Sequence, residues 1–174
     1  AHAAAGFYTS SFTEATVVCI DSIGEFESLT IWEGEGTRLK KVYSQGYPNS
    51  IGLWYSALTQ RVGLKPNEDE YILMGMAAYG DPQRLWNDMY EMFDYIDGPD
   101  IRFKENLHRG CKQWKPELTT EQDMFDIAAV TQKTYEFTLE QILAWAKKNT
   151  KSNNLVLMGG CALNCSANHL AYKY

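Results

Sequence analysis

An apolar run that ends in two glycines constrains the fold of this chain more than any other feature. Residues 155–158 read LVLM, and Gly159 and Gly160 follow directly, ahead of CALNCSAN. A short apolar run without charges predicts a fully buried strand. Two glycines let the backbone turn sharply after such a strand, and we expect a helix from about Leu163. Strand, glycine turn and helix in this order are typical of an α/β domain.

The N-terminal part of the chain carries three segments with the composition of β-strands. Residues 16–20 (TVVCI) and 28–32 (SLTIW) are rich in the β-branched and aromatic side chains that favour strands. A turn with Gly24 lies between them, and residues 38–45 (RLKKVYSQ) alternate in part between apolar and polar positions after a second glycine turn. The pattern predicts a three-stranded antiparallel meander.

Helical periodicity follows in three segments. Apolar residues recur at helical spacing over 51–62, over 82–96 and over 120–146, and Ser50, Asp81 and Thr120 are the predicted caps. Residues 98–118 mix turn residues, charges and isolated aromatics without a period, which predicts an irregular excursion. Together with the strands, these segments predict a mixed sheet with flanking helices, in the α/β class.

Composition limits the classes of function. The chain has 174 residues, 45% of them hydrophobic, which is enough to bury a core as a single unit, and the missing initiating Met suggests that residues 1–174 are a fragment. The net charge of −6 and the scattered basic residues argue against nucleic acid as a partner. No apolar run approaches the roughly 20 residues that span a bilayer, and no signal-peptide pattern opens the chain. We therefore expect no membrane partner and a cytoplasmic location.

Four cysteines are expected to be free thiols. Cys19, Cys111, Cys161 and Cys165 could pair in principle, but a chain of this size does not need disulfides to fold. The last two are separated by three residues, which is neither the redox spacing nor half of a convincing zinc site without a second pair. Small buried thiols are the favoured interpretation.

Three features are candidates for a site, and each has a structural alternative. The glycine turn would expose main-chain N–H groups to a ligand, with Asn164 nearby, although such turns are also common without a ligand. Asp21 follows the first strand, where its carboxylate could bind a cation or a hydroxyl, or only its own backbone. His2 could face a metal or belong to a frayed chain end.

Three stretches taken together resemble a known family. HAAAGFYTSSFTEATVVCIDSIGE, YPNSIGLWYSALTQRVGLKPNEDEYILMGMAAYG and LVLMGGCALNCSAN are similar, in this order, to carbamoyltransferases that decorate nodulation factors and antibiotics. The resemblance covers nearly the whole chain and is weakest across 98–118. Two positions depart from the family: Ile72 stands where members often carry a lysine, and Cys161 where valine is usual.

The resemblance implies both a fold and an activity. The fold would be a lobe of the ribonuclease-H-like, actin-like ATPase architecture, with its site in a cleft between two lobes. The activity would be transfer of a carbamoyl group from carbamoyl phosphate to a small-molecule hydroxyl acceptor, through a carbamoyl-adenylate, with ATP and an iron-like divalent metal. The partner of residues 1–174 would be the remainder of the full-length chain, and the fragment alone is expected to be inactive.

The resemblance also assigns residues. His2 matches the second histidine of an H-x-x-x-H metal pair and Asp21 matches the aspartate ligand, whereas the first histidine would precede Ala1. Gly159, Gly160 and Asn164 match the nucleotide element, with Gly52 as a further contact to the adenosine. No catalytic residue is assigned. Two other functions stay open: a tRNA threonylcarbamoyl transferase, which the acidic composition disfavours, and a nucleotide-binding lobe without catalysis.

Overall fold

A four-stranded mixed sheet lies at the centre of the fold in the computed structural model, which describes residues 1–24 and 26–173. The strands are β1 (Glu14–Gly24), β2 (Glu27–Glu35), β3 (Arg38–Gly46), β4 (Phe93–Asp97), β5 (Asp100–Phe103) and β6 (Leu155–Met158). The central sheet has the order β3-β2-β1-β6, and β4 pairs with β5 in a separate hairpin. The first three strands are antiparallel neighbours, which confirms the predicted meander.

The helices fill the connections between these strands. They are α1 (His2–Thr9), α2 (Ile51–Arg61), α3 (Glu70–Met76), α4 (Trp86–Tyr90), α5 (Glu121–Asn149) and α6 (Cys165–Asn168). Short 3-10 turns cover Ala77–Tyr79, Leu107–Arg109, Gly160–Leu163 and His169–Lys173. The mixed sheet with flanking helices confirms the predicted α/β class.

Two of the predicted caps are present. The Ser50 hydroxyl accepts the N–H of Leu53 at 3.1 Å, so α2 begins where the sequence predicts. At α5, Thr120 Oγ1 accepts the N–H of Asp123, and the Asp123 carboxylate accepts the N–H of Thr120 in return. These bonds satisfy N–H groups that have no partner within the helix, which fixes both helix starts.

Strand β1 is buried on both faces. Val18 and Ile20 pack with α2 and α5 on one side of the sheet, whereas Val17 and Cys19 pack against Phe7 of α1 on the other. This follows from the alternation of side chains along a strand. Complete burial of an apolar side chain contributes about 1.5 to 3 kcal/mol, so β1 anchors both layers.

The parallel pairing of β1 with β6 sets the geometry of one sheet edge. Cys19 is the register partner of Met158 at the end of β6. Because the two strands run in the same direction, the chain leaves β6 beside the part of β1 that follows Cys19, where β1 continues to Gly24. Asp21 and the glycine turn are therefore neighbours.

The predicted helix over 82–96 is wrong in its second half. Helix α4 ends at Tyr90, and Phe93–Asp97 pairs with Asp100–Phe103 through a turn at Gly98, whose φ is +60°. The apolar residues of that segment pack as one face of a hairpin rather than of a helix. Asp81 forms a local turn instead of a helix cap, since its Oδ1 accepts the N–H of Gln83 at 2.9 Å.

The same hairpin corrects the predicted excursion over 98–118. Its first part is β5, and the remainder is irregular apart from the turn at Leu107–Arg109. Arg61 at the end of α2 fixes this irregular part, because its guanidinium donates to the carbonyl groups of Trp114, Lys115 and Leu118 at 2.6 to 2.9 Å. The segment is ordered by side-chain bonds rather than by its own periodicity.

Two expectations around the glycine turn also differ from the structure. The four residues of β6 are partly exposed rather than fully buried, because β6 is the edge of the sheet that the described residues form. The helix expected from Leu163 is reduced to a 3-10 turn followed by the four residues of α6. His2, interpreted as a possible frayed end, is the first residue of α1.

Candidate functional site

Asp21 joins three distant parts of the chain. Its Oδ1 accepts the main-chain N–H of Gly160 at 2.7 Å, and its Oδ2 lies 2.7 Å from His2 Nδ1. The Ser50 hydroxyl donates to the Asp21 carbonyl oxygen at 3.1 Å and so ties the start of α2 to the same place. The carboxylate binds its neighbours rather than its own backbone, which was the structural alternative.

The glycine turn has a backbone that requires glycine at its first position. Gly159 has a φ of +94°, and a Cβ on it would lie 2.3 Å from the carbonyl oxygen of Ile20. At Gly160 a Cβ would meet only Asp21 Oδ1, at an ordinary 3.5 Å. The turn therefore presents the N–H of Gly160 to the carboxylate because Gly159 permits the close approach to β1.

Gly52 allows α2 to approach the same edge. A Cβ on Gly52 would lie 2.7 Å from Ser22 Cα and 2.9 Å from Cys161 Sγ. Any larger residue would push the helix away from β1 and from the glycine turn. The close contact explains a glycine in the first turn of a helix, where it is otherwise unfavourable.

A cavity of about 360 Å³ opens beside these residues. Gly52, Gly160 and Asn164 line it, so the structure brings three of the four predicted nucleotide residues to one cavity. Gly159 shapes the glycine turn but does not line the cavity. A volume of this size is within the range of small-molecule sites.

Asn164 is held rigidly at the cavity wall. Its amide pairs with that of Gln132 through two hydrogen bonds of 2.8 and 3.1 Å, and its Oδ1 also accepts the N–H of Ala167. Asn164 is thus the cap of α6, and Asn168 at the end of this helix donates its side-chain amide to the Ala162 carbonyl at 2.8 Å. The amide of Asn164 also interacts with the Tyr55 hydroxyl, which lowers the pKa of that phenol against the effect of burial.

Several polar residues of the cavity were missed by the sequence analysis. Tyr55 donates its hydroxyl to Gln132 Oε1 at 2.9 Å, and Glu70 Oε1 accepts both the Ser56 hydroxyl and the N–H of Asn67 at 2.6 Å. Tyr55, Ser56 and Gln132 could have been identified from the sequence, because each carries a polar group on the apolar face of its helix. No such pattern marks Glu70.

Burial keeps two groups of this cavity uncharged. It raises the pKa of the Tyr55 phenol well above its usual value, so the phenol is a hydrogen-bond donor. Burial, together with the negative charges of Asp21 and Glu70, raises the pKa of the Cys161 thiol to about 12. The thiol is therefore protonated at neutral pH and is neither a nucleophile nor a metal ligand in this state.

His2 and Asp21 fit part of a metal site. An imidazole nitrogen and a carboxylate oxygen are donors that transition metals accept, and the side chain of His2 is 55% exposed beside the 19% exposed Asp21. Among the described residues no third histidine, cysteine or acidic side chain completes a group of three. Since such metals take four to six ligands, the pair would need donors from elsewhere.

No helix in residues 1–24 and 26–173 has both the length and the apolar character needed to cross a membrane. The four cysteines are free thiols, as expected, but Cys165 is exposed, so the interpretation as small buried thiols is wrong for this residue.

Comparison with known proteins identifies a family. The family model described as carbamoyltransferase N-terminus matches residues 1–173. The match includes His2, Asp21, Gly52 and the glycine turn, which are the residues brought together at the sheet edge.

Individual relatives align over nearly the whole of this chain. The chain is 34% identical over 183 residues to an uncharacterized protein of Synechocystis, covering 96% of this chain and 30% of that protein. It is 32% identical over 176 residues to the nodulation protein NolO of Bradyrhizobium diazoefficiens, with 96% of this chain and 31% of NolO covered. Nodulation protein NolNO of Sinorhizobium fredii is 30% identical over 176 residues, with coverages of 96% and 25%. The chain thus spans a third or less of the length of these relatives.

Proposed function

This chain belongs to the family of carbamoyltransferase N-termini, and from that premise we propose that the full-length protein is an O-carbamoyltransferase. It would transfer a carbamoyl group from carbamoyl phosphate to a small-molecule hydroxyl acceptor, with ATP consumed to form a carbamoyl-adenylate. Residues 1–174 would supply part of the nucleotide pocket and part of a metal shell. We expect the 174-residue chain alone to be inactive, because the relatives are about three times longer.

One observation carries the proposal. The Asp21 carboxylate connects His2 to the N–H of Gly160, and Gly160 lines the cavity that also contains Gly52 and Asn164. The residues that the resemblance assigns to a metal and to a nucleotide are thus in direct contact. An adenylate in the cavity would have its reacting end beside the imidazole and the carboxylate.

The chemistry needs an activated carbamoyl group, because carbamate is a poor electrophile. Water releases phosphate from carbamoyl phosphate, and an oxygen of the resulting carbamate bonds to the α-phosphorus of ATP while pyrophosphate leaves. The acceptor oxygen then bonds to the carbamoyl carbon, the bond from that carbon to the AMP oxygen breaks, and the hydroxyl proton passes to water. Donors fixed around the leaving AMP lower the barrier to this second step.

The protein groups that would bind the adenosine are mostly uncharged. The main chain at Gly160 lines the cavity without a Cβ in the way, and the Asn164 amide is fixed at the cavity wall by its pairing with Gln132. Gly52 keeps the first turn of α2 close to Ser22 and Cys161, so that the helix start forms another part of the wall. Backbone and amide groups suit a neutral nucleoside, which explains the lack of charge in this stretch.

His2 and Asp21 would hold a divalent metal, iron by the resemblance, which supplies positive charge to polarise the carbamoyl or hydroxyl oxygen when bound. In the structure Nδ1 of His2 contacts the Asp21 carboxylate directly, so binding of one metal by both side chains would require this contact to open. The bond from Gly160 to Oδ1 orients the carboxylate, as outer hydrogen bonds do in metal sites generally.

The architecture proposed for the full-length protein is the actin-like ATPase fold of the ribonuclease-H type, with residues 1–174 forming most of one lobe. The antiparallel meander followed by a parallel strand at β1 supports this assignment. The second wall of the cleft would then come from the rest of the chain.

The test is an assay of the full-length protein with ATP, carbamoyl phosphate and a panel of hydroxylated acceptors. Formation of carbamoyl-adenylate is expected before any acceptor is added, and its absence would rule out the proposed function. For the pocket, Asn164→Ala should weaken ATP binding by about 1 to 3 kcal/mol through the loss of a buried hydrogen bond. Asn168→Ala is the matched control, since Asn168 bonds Ala162 and does not line the cavity.

A further inference from the structure

After Glu70, helix α3 is apolar on all sides, although it lies at the surface of the described chain. On its inner side Leu73 is buried, and Met76 and the following Ala77 pack against the core. The outer side, which we call the α3 face, carries uncharged residues at the spacing of one helical stripe that continues into the 3-10 turn: Tyr71, Met74, Gly75, Ala78 and Tyr79. A surface helix normally places charged residues outward, and a helix that is apolar all round is normally buried. The α3 face therefore has the composition of a covered surface.

The α3 face is exposed in residues 1–24 and 26–173. The side chains at its two ends are large, and Tyr71 is 67% exposed and Tyr79 73% exposed. Single exposed aromatic side chains are common, whereas a contiguous apolar stripe marks an interaction surface. Tyrosine and methionine are also among the residues enriched in interfaces.

Gly75 lies at the centre of the α3 face. A Cβ on it would meet no described atom within 4 Å, unlike Gly52 and Gly80, whose Cβ positions lie within 3 Å of other atoms. Glycine is one of the least favourable residues inside a helix, and its usual benefit is the close approach of another backbone. With Ala78 one turn further on, Gly75 forms a shallow notch between the two tyrosines, into which the side chains of a second helix fit.

The α3 face is held in place from both ends. At the start of α3, Glu70 Oε1 accepts the Ser56 hydroxyl at 2.6 Å. Beyond the 3-10 turn, Asp126 Oδ1 accepts the N–H of Asp81 at 2.8 Å. The ring of Tyr79 lies against that of Phe125, with centroids 5.5 Å apart. A surface that is already ordered loses little conformational freedom when a partner packs on it.

The α3 face continues into the candidate nucleotide cavity. Tyr71 and Met74 belong to the face and also line the cavity. Leu163 lines the same cavity from the 3-10 turn after β6, and its side chain is 82% exposed. A segment packed on the α3 face would therefore also reach the mouth of the cavity, where Leu163 offers it a further apolar contact.

The size of the α3 face indicates what covers it. Specific interfaces between separate proteins take about 20 to 30 residues on each side, whereas the α3 face has five and is roughly 12 Å long at about 1.5 Å per residue. A segment of the same chain needs less area, because it is already tethered. The aligned part of the relatives is 30% of the Synechocystis protein and 31% of NolO, so proteins of this family have ample further chain for this purpose.

We propose that a helix of the full-length protein, from the part outside residues 1–174, packs on the α3 face and closes the mouth of the candidate nucleotide cavity. Its contact side is apolar, with a side chain seated over Gly75 between Tyr71 and Tyr79. The packing does not depend on the proposed carbamoyl transfer.

Oxidative footprinting of the full-length protein tests this interface. Hydroxyl radicals label exposed side chains, and mass spectrometry gives the rate for each tyrosine relative to the same tyrosine in tryptic peptides of the protein. We expect Tyr71 and Tyr79 to react at least tenfold more slowly in the folded protein than in the peptides. The controls are Tyr8 and Tyr90, which are only 53% and 43% exposed here and should nevertheless react faster than Tyr71 and Tyr79.

Two footprinting results would overturn the interface. Protection of Tyr71 or Tyr79 below tenfold would leave the α3 face uncovered. Protection that disappears when the protein is diluted would assign the face to a second copy of the protein rather than to the same chain. Neither measurement uses ATP or carbamoyl phosphate, so a failure of the proposed function would not change them.

A substitution at Gly75 gives an independent test through its sign. On an uncovered helix Gly75→Leu should leave the melting temperature of the full-length protein unchanged or raise it, since leucine favours the helix. Under a packed helix it should lower the melting temperature by about 2 to 4 °C through overpacking, and this is the result that we expect. Ala144→Leu, at an exposed position of α5, is the control and should cause no fall. An unchanged or higher melting temperature for Gly75→Leu would contradict the interface.

Discussion

The side-chain carboxylate of Asp21 accepts the main-chain N–H of Gly160 at 2.7 Å, although 139 residues separate the two in sequence. The other oxygen of this carboxylate faces the imidazole of His2. One side chain therefore sets both the position of the glycine turn and the orientation of the histidine, and changes to it should affect ligand binding more than folding.

Replacement of Asp21 by asparagine tests the role of its charge. In Asp21→Asn the amide oxygen can still accept from Gly160, but the amide nitrogen then faces His2 Nδ1 and favours the tautomer with a proton on Nε2. We expect the affinity of the full-length protein for iron or zinc to fall by about 10- to 100-fold, with little change in thermal unfolding. Asp94→Asn, on an exposed residue of β4, is the control, and equal metal affinity in both variants would contradict the assignment.

The glycine turn is tested by two alanine substitutions at glycines of similar φ. Gly159 and Gly63 have φ values of +94° and +88°, but only at Gly159 does a Cβ meet another atom closely, at 2.3 Å. Gly63→Ala should cost about 1 to 2 kcal/mol for the left-handed conformation. Gly159→Ala should cost about 1 to 3 kcal/mol more because of the overlap with Ile20. Urea unfolding measures both, and equal losses would mean that the turn relaxes.

The cysteines should differ sharply in alkylation. Burial raises the pKa values of Cys111 and Cys161 to about 12, so we expect iodoacetamide at pH 8 to label exposed Cys165 and to spare these two until the protein is unfolded. Mass spectrometry of the labelled peptides measures this. Because the folded pKa values lie above the usual 9.0, the stability they contribute is complete below pH 9 and is lost as the pH rises towards 12. Labelling of folded Cys161 at pH 8 would contradict this environment.

Arg84 should stabilise the fold in a pH-dependent way. It binds the nearly buried carboxylates of Asp123 and Asp126. Hydrogen bonds from Thr120, and then from Arg84, lower the pKa of Asp123. Burial acts in the opposite direction on Asp126, but bonds from Asp81 and Arg84 outweigh it and lower its pKa as well.

Groups with lowered pKa values stabilise the fold above their usual value of 3.8 and lose that contribution as the pH falls. Arg84→Gln should therefore lower the melting temperature strongly at pH 7, and by progressively less as the pH falls below 3.8, as seen by circular dichroism. Arg102→Gln, at an arginine that is 56% exposed and only loosely paired with Asp100, is the control. A loss from Arg84→Gln that does not change with pH would show that the arginine acts by packing alone.

The sequence predicts those parts of the fold whose signals are local. The caps at Ser50 and Thr120, the meander and the apolar run of β6 depend on neighbouring residues, and each is present. The segment 82–96 shows the limit of this reasoning. Its apolar spacing suits a helix, but pairing with a strand that follows Gly98 decides its structure, and no local pattern reports that pairing.

The candidate site could be predicted only in part for the same reason. His2, Asp21 and the glycines stand next to recognisable segments, so they could be named in advance. Glu70 reaches the cavity through tertiary packing of α3, and nothing around it in the sequence distinguishes it from a residue on a solvent-exposed face.

The parallel pairing of β1 with β6 has a consequence for the order of folding. Thr16 of β1 and Leu155 of β6 are register partners. Almost the whole of this chain must therefore be synthesised before β1 can pair with β6, its second neighbour in the sheet. The meander and α2 can pack together early, because their contacts join residues that are near in sequence. Closing the long loop between β1 and β6 is slow. The edge that carries the imidazole, the carboxylate and the glycines would accordingly be the last region to acquire protection from hydrogen exchange.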